Sequence, residues 1–343
     1  MKPIAPRISR QKLLSELTPE RYLRDTNYGH NQIYSFTAHQ CPGLMQEIGR
    51  LREISFREAG GGTGEPVDID NYDIAETPYH QLIVWDPKEK EILGGYRYFV
   101  CSSLTCAENA AEHLATSHLF HFSPKFLSEY MPHTIELGRS FVQPLYQSTR
   151  LIRKGMYALD NLWDGLGALI MMHDKARYYF GKVTMYTDYD PQGRTLILSF
   201  LNKYFPDPEE LVTPINPLIN KEELVKVAPI FDSGNYADDY KILSREIRSR
   251  GLRIPPLINS YMSLSPTMKT FGTAINDEFG MVEETGILVT ISDIYEEKAH
   301  RHLVSYIRDM LRIRPLKLRH IRIRYPQLFR EGLRQARKLK RGQ

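Results

Sequence analysis

The sequence of 343 residues predicts a mixed α/β fold. Two observations carry this. Runs rich in β-branched and aromatic residues, bounded by turn residues, alternate with apolar stripes at helical spacing, in the order β-α-β-β-α-β-α-β-α-β. Two strands follow one another early in that order, so it departs from the regular βαβ alternation of a doubly wound parallel sheet. An apolar content of 42% with 25% charged residues is enough for a sizeable core.

Each element follows from its local sequence. Residues 31–38 read as a strand, and a helix begins at Pro42 with Leu44, Ile48, Leu51, Ile54 and Phe56 on one stripe. "GGGTGEPVDIDNYD" then reads as a flexible acidic loop; its glycines open no helix, so it is not a phosphate loop. His80–Asp86 and Glu91–Val100 form a hairpin across "PKEK". Phe122–Met131 suits a short helix, Thr134–Val142 a strand, Gly155–His173 a helix, Lys182–Tyr189 a strand and Thr195–Phe205 a helix. Pro206–Pro256, rich in proline and charge, reads as an insertion, and "INSYMSLSPTM", "GTAIND" and "GILVTISDI" supply further strand. The plan is an N-terminal extension over 1–29, a main domain over 30–295 and a basic tail over 296–343.

Composition narrows the function. No run of 18 apolar residues exists, and the first residues lack the apolar middle of a signal peptide. Cys41, Cys101 and Cys106 fit no metal spacing and read as reduced cysteines of a cytoplasmic protein. The 11 histidines contain no HExxH, so no metal site is expected. Net charge is +4, yet residues 301–343 hold 14 Lys and Arg against two acidic residues, a balance of +12 on a body of −8. Such a tail meets an anionic partner or serves as a solubilising end.

The chemistry concentrates in "TIELGRSFVQPLYQ", where Glu136 and Arg139 flank Gly138. Three residues apart in a regular strand, the two charges face opposite ways. A bulge at Gly138 brings them to one face and frees a backbone N–H. Arg52, Asp70, Asp73 and Arg97 lie at the edges of other apolar elements, where a charge needs a partner. They form either a structural ion-pair network or a site in which Glu136 handles a proton and arginines orient an anionic substrate. Asp70 and Asp73 are expected to hold Arg52 or Arg97 in place.

Arg52-x-x-x-Phe56, then Asp70 and Asp73, then "GGYR" ending in Arg97, then Glu136-x-x-Arg139 resembles a pattern shared by two families. These are the acyl-homoserine-lactone synthases and the hemolysin-like ornithine-acyl carrier protein N-acyltransferases, within the GCN5-related N-acetyltransferase (GNAT) superfamily. "HQLIVWD", "PPLINSY" and "INDEF" are closer to the second family, and "ALDNLWDGLGALI" and "GKVTMYTDY" to its Bacteroidetes branch, associated with glycine lipids. The resemblance covers about residues 30–295.

It implies a mixed, splayed sheet flanked by helices, with the pantetheine arm of the acyl donor in a V-shaped gap between the strands at 134–142 and 182–189. It further implies Glu136 as general base, Gly138 as the source of an oxyanion-type N–H and Arg139 beside them. Arg52, Phe56, Asp70, Asp73 and Arg97 would bind substrate. The superfamily's pyrophosphate loop has its nearest fit in "IRKGMY", where Ile152 and Tyr157 depart from the pattern at its first and last positions; this degenerate loop favours acyl carrier protein over coenzyme A. Arg150, Arg153 and Lys154 would meet the single phosphate of its arm. No separate cofactor is implied. The expected reaction moves a (3-hydroxy)fatty acyl group to the α-amine of glycine or ornithine, with the basic tail steering the carrier or touching an anionic membrane. The alternatives are a signal synthase making an acyl-lactone and a non-enzymatic binder of membrane or, less in keeping with the motifs, nucleic acid.

Overall fold

The computed structural model describes residues 1–104, 110–146, 152–218, 221–313 and 319–341. Among these residues, ten strands run in chain order: β1 (Tyr22–Asp25), β2 (Gln32–Thr37), β3 (His80–Asp86), β4 (Glu91–Val100), β5 (Phe120–Phe122), β6 (Thr134–Val142), β7 (Tyr178–Met185), β8 (Val212–Pro214), β9 (Lys269–Asn276) and β10 (Val282–Thr290). Eight form one sheet in the order β1-β2-β3-β4-β6-β7-β10-β9, while β5 and β8 pair separately. Every neighbouring pair in the large sheet is antiparallel except β6 and β7. The mixed α/β class read from the sequence is the one observed.

Among the described residues, twelve α-helices surround the strands: α1 (Arg10–Glu16), α2 (Pro42–Glu58), α3 (Asn71–Ile74), α4 (Ile152–Met172), α5 (Pro191–Tyr204), α6 (Lys221–Val227), α7 (Tyr236–Ser249), α8 (Pro256–Met262), α9 (Glu296–Ala299), α10 (Ser305–Ile313), α11 (Arg319–Arg324) and α12 (Pro326–Arg341). Proline at its first turn starts α2, and the Glu16 carboxylate accepts from the Gly43 and Leu44 N–H groups at 3.0 and 2.8 Å. That carboxylate satisfies two of the orphan donors at the helix start and complements its dipole. Leu44, Ile48 and Leu51 of α2 then bury against Phe36, Ile83, Trp85 and Phe141 on one sheet face. On the opposite face, Leu162, Leu166 and Leu169 of α4 pack with Leu82, Val84, Tyr96 and Tyr98. Each such side chain contributes about 1.5–3 kcal/mol on leaving water.

Several expectations need correction. β7 begins four residues earlier than read, because Tyr178, Tyr179 and Phe180 pair with β6 and β10. "INSYM" is helix α8 rather than strand, since Pro255 and Pro256 set a helical start that overrides its β-prone residues. The glycine-rich loop is tied down rather than loose: Glu53 accepts from Thr63 N–H, Thr63 Oγ1 and Gly64 N–H at 3.0, 2.9 and 2.7 Å. The segment 206–256 shares a core with α5, burying Phe231, Leu243 and Ile247 beside Phe200. The basic tail folds into helices, with Tyr306, Ile307, Ile321 and Ala336 buried. His302 at its root meets Asp164 of α4 at 2.7 Å. Among the described residues, no helix is long and apolar enough to cross a membrane, and no cluster of metal-ligating side chains occurs.

Candidate active site

The strands β6 and β7 part company halfway along. Their parallel pairing joins Thr134–Leu137 to Tyr178–Gly181 and stops there. At the last step a Cβ on Gly181 would lie 2.6 Å from the Leu137 carbonyl oxygen, so only glycine allows the two backbones to meet. Past it, β7 continues straight along β10 to Met185. In contrast, β6 is bent by a bulge. Gly95 pairs with Phe141 and Arg97 with Gly138, so Arg139 and Ser140 together oppose Tyr96. The left-handed residue is Arg139, at φ 50°, and not Gly138. A non-glycine residue in that region is held there at a cost of order 1 kcal/mol or more. The bulge thus sits one residue beyond its expected place.

The opening between the strands is a cavity of about 220 Å³. Alternation along β7 gives it two different ends. Tyr179, Gly181 and Val183 look toward the α4 side, where Tyr96, Leu137, Leu257, Tyr261, Ile287 and Val289 make an apolar wall. Phe180, Lys182 and Thr184 look toward the α2 side, where Arg139, Glu284, Phe56, Tyr186 and Phe279 line a charged end. Phe56 stands edge-on to Phe279 at 5.0 Å, and the Arg139 guanidinium carbon lies 4.2 Å from the Phe279 ring centre.

Beside that end lies a balanced ion network of three arginines and three aspartates. Arg52, fully buried, donates to Asp73 at 3.2 Å and to Gln81. Arg97 donates to both oxygens of Asp70 at 2.7 Å and reaches Asp73 at 3.4 Å. Arg139 donates from Nε to Asp68 Oδ1 at 3.1 Å and from Nη2 to Asp70 at 3.5 Å. A capping box at Asp70 and Asp73 starts the single turn of α3 and fixes both carboxylates. Burial pushes the Arg52 guanidinium below its ordinary value, whereas the aspartates around Arg97 overcome burial and raise it.

Glu136 lies on the same α2 face, one pair before the fork, and does not line the cavity itself. Its Oε2 accepts from the Tyr79 hydroxyl and from the Ala115 N–H at 3.3 Å. Its Oε1 has no hydrogen bond of good geometry among the described residues, with the Thr116 hydroxyl as neighbour. Burial raises the Glu136 carboxyl above the usual glutamate range, against the pull of Tyr79, Thr116 and Arg97.

The structure therefore brings Glu136, Gly138, Arg139, Arg52, Asp70, Asp73, Arg97 and Phe56 to one face around one opening. Only Gly138, Arg139 and Phe56 of these line it. Arg150 and the side chains of Arg153 and Lys154 lie outside the described residues. Sequence reasoning left Asp68, which is buried and holds Arg139, out of the site residues, and it missed Lys182 and Glu284 at the charged end. The available signal was a lone lysine in "FGKVTM" and glutamates in "VEETGILV", charges inside apolar strand runs.

Asp70 sets an acid limit on the network. Burial alone would raise its carboxyl, but Arg97 and Arg139 more than offset this and hold it at about 2. A group depressed in the folded state stabilises fully above its unfolded value and loses that contribution as pH falls toward the folded one. We expect the unfolding free energy from denaturant titration to drop between about pH 4 and about pH 2 by roughly 2 kcal/mol more in the wild type than in Asp70→Asn. Parallel curves for the two proteins would remove Asp70 from this role.

The splayed sheet, the parallel pair that opens at a bulge and the cavity within the opening are the architecture that the sequence resemblance implies. A family description reading "acetyltransferase (GNAT) domain" matches residues 51–156. Over 307 residues the chain is 56% identical to a protein of Bacteroides thetaiotaomicron named glycine N(alpha)-acyltransferase, covering 90% of this chain and 91% of that one. A protein of Phocaeicola vulgatus with the same name is 53% identical over 306 residues, 89% of this chain and 94% of that one. The chain belongs to the family of these two N-acyltransferases. A solved coenzyme A-dependent acyl-homoserine lactone synthase, with SAM and isopentyl-CoA, superposes at a TM-score of 0.27 and 14% identity. That match covers 48% of this chain and 72% of that structure, too loosely to compare residues.

Proposed function

We propose that this enzyme transfers a (3-hydroxy)fatty acyl group from acyl carrier protein to the α-amine of glycine, giving an N-acyl amino acid of the lyso-aminolipid type. The observation that carries the reading is the fork cavity, apolar at one end and charged at the other. An acyl-pantetheine arm fits between strands that no longer hydrogen-bond to each other, with its chain along the apolar wall. A small amino acid enters from the charged end. The amine nitrogen attacks the thioester carbon, the C–N bond forms, the C–S bond breaks, and the released thiolate takes up a proton. Backbone N–H groups of β6 beyond Leu137 have no β7 partner and would polarise the thioester oxygen. Glu136 receives the ammonium proton through one water at its free Oε1. Arg139, fixed by Asp68 and Asp70, keeps the bulge in shape, and the remaining arginines hold the aspartates.

The donor preference rests on the degenerate pyrophosphate loop and on the basic tail. The apolar side of α12 is largely committed to its own fold: Gly332 packs so closely on Ile307 that a Cβ would come within 2.6 Å of it. What it offers outward is charge, suited to an acidic carrier protein or to the inner face of an anionic membrane, where a lipid product must go. A cytoplasmic, peripherally attached enzyme is the setting this implies.

The test is purified protein with 3-hydroxyacyl carrier protein, the matching coenzyme A thioester and a panel of amino acids, with products read by mass spectrometry. N-acylglycine should form, and kcat/KM should favour the carrier protein, less so as salt rises. Absence of any N-acyl product would refute the reaction; equal kcat/KM for both thioesters at low salt would refute the carrier.

A further inference from the structure

One charged pair in the cavity has no part in the arginine–aspartate network. The β7–β10 register sets Thr184 opposite Glu284, and Lys182 stands two residues back on the same face. Lys182 and Glu284 form an ion pair there, with side chains 10% and 2% exposed. Glu284 also accepts from Thr184 Oγ1 at 3.1 Å and from Asn276 Nδ2 at 2.9 Å. Burial pushes Lys182 below the ordinary lysine value; Glu284 is held low by Lys182 although burial acts the other way. Taking two charges out of water costs several kcal/mol per ion, and an apolar pair of equal volume is often at least as stable. A pair kept in this position, at the mouth of a cavity, is better explained by a ligand than by stability.

We infer that Lys182 and Glu284 form the acceptor subsite and that the pair opens to take a zwitterionic α-amino acid with an uncharged side chain. Glu284 receives its ammonium and Lys182 its carboxylate. The inference rests on the acyl-transfer reading above and adds the basis of acceptor choice. A zwitterion offers each member of the opened pair a partner of the same sign as the one it loses, so no charge is left unpaired and the net buried charge is unchanged. An acceptor with a cationic side chain, such as ornithine, brings one charge too many. So does glycinamide, which keeps the ammonium and lacks the carboxylate. Either leaves a buried charge without a partner, a mismatch of the size that breaking a buried pair produces.

Steady-state kinetics with glycine, ornithine and glycinamide test this. Wild type should use glycine with kcat/KM about 10²-fold or more above the other two. Lys182→Met leaves Glu284 as an uncompensated anion, and the glycine-to-glycinamide preference should move toward glycinamide by a similar factor. The double variant Lys182→Met/Glu284→Gln carries no unpaired charge and should fold even where the single one does not. Its KM for glycine should rise by about 10-fold or more while its KM for the acyl donor stays within about twofold of wild type. A folded double variant with an unchanged KM for glycine overturns the subsite. So does equal use of glycine and glycinamide by wild type. Wild-type protein that acylates no amine at all would instead strike down the acyl-transfer reading, and the subsite with it.

Discussion

Replacing Glu136 by glutamine is expected to lower turnover by about 10²-fold or more and to leave the fold intact. The carboxamide keeps an oxygen to accept from the Tyr79 hydroxyl and the Ala115 N–H, so the local packing survives. What it removes is the capacity to take a proton. Stability should not suffer, and the sign can be worked out. A carboxyl whose value is raised by folding favours the folded state while protonated and loses that advantage as pH rises through the folded value. Ionising Glu136 in the folded protein is therefore a burden, and the neutral amide relieves it. The pH profile gives a second readout. The acid limb of wild-type kcat/KM should lie above the usual glutamate range and vanish in Glu136→Gln. A folded variant with near-wild-type turnover would leave Glu136 as nothing more than a partner for Tyr79 and Ala115.

Replacing Asp73 by alanine should act on the fold before it acts on the chemistry, with a loss of about 3–5 kcal/mol. Asp73 is fully buried between two cations, 3.2 Å from Arg52 and 3.4 Å from Arg97. It also accepts from the Gln81 amide at 2.8 Å and caps α3 through the Asp70 N–H at 3.2 Å. Without it the Arg52 guanidinium keeps only Gln81 and the field of Asp68, deep under α2. The sequence reading set Asp73 in a flexible acidic loop and expected it to hold Arg52 or Arg97; in the structure it is buried against both. Denaturant midpoints for Asp73→Ala and the partner-free Arg52→Met/Asp73→Leu decide the matter. The double variant should recover much of the loss. A single variant within about 1 kcal/mol of wild type would show that the network contributes little to stability.

The parts of this molecule legible in the sequence are those where one period dominates. The limits of β3 and β4 follow from apolar runs closed by a charged turn, and α2 from a proline start and a stripe at Leu44, Ile48 and Leu51. The site was half legible. Glu136, Arg139, Arg97 and the two aspartates stand out because each is a charge set against apolar neighbours. The Lys182–Glu284 pair does not, because a register must be known before Thr184 and Lys182 meet Glu284, some 100 residues away. The bulge was foreseen and misplaced for a similar reason. Glycine is the usual occupant of a left-handed position, so Gly138 drew the assignment, while the structure spends that conformation on Arg139 to aim its guanidinium at Asp68. Helix α8 was lost to residue preference, as "INSYM" is β-prone until its prolines are weighed.

The single parallel seam has a mechanical meaning. On one side of it, β1, β2, β3, β4 and β6 are one antiparallel plate; on the other, β7, β10 and β9 are a second. Only four residue pairs weld the plates edge to edge, and the weld lies at one end of the joint. A sheet joined along its whole length resists opening at every rung, but one joined at a corner can change its angle about that corner with every rung intact. The width of the gap is then governed by how the two plates lean on α2 and α4 rather than by strand pairing. A small rotation about that corner changes the width of the gap without breaking a strand pair.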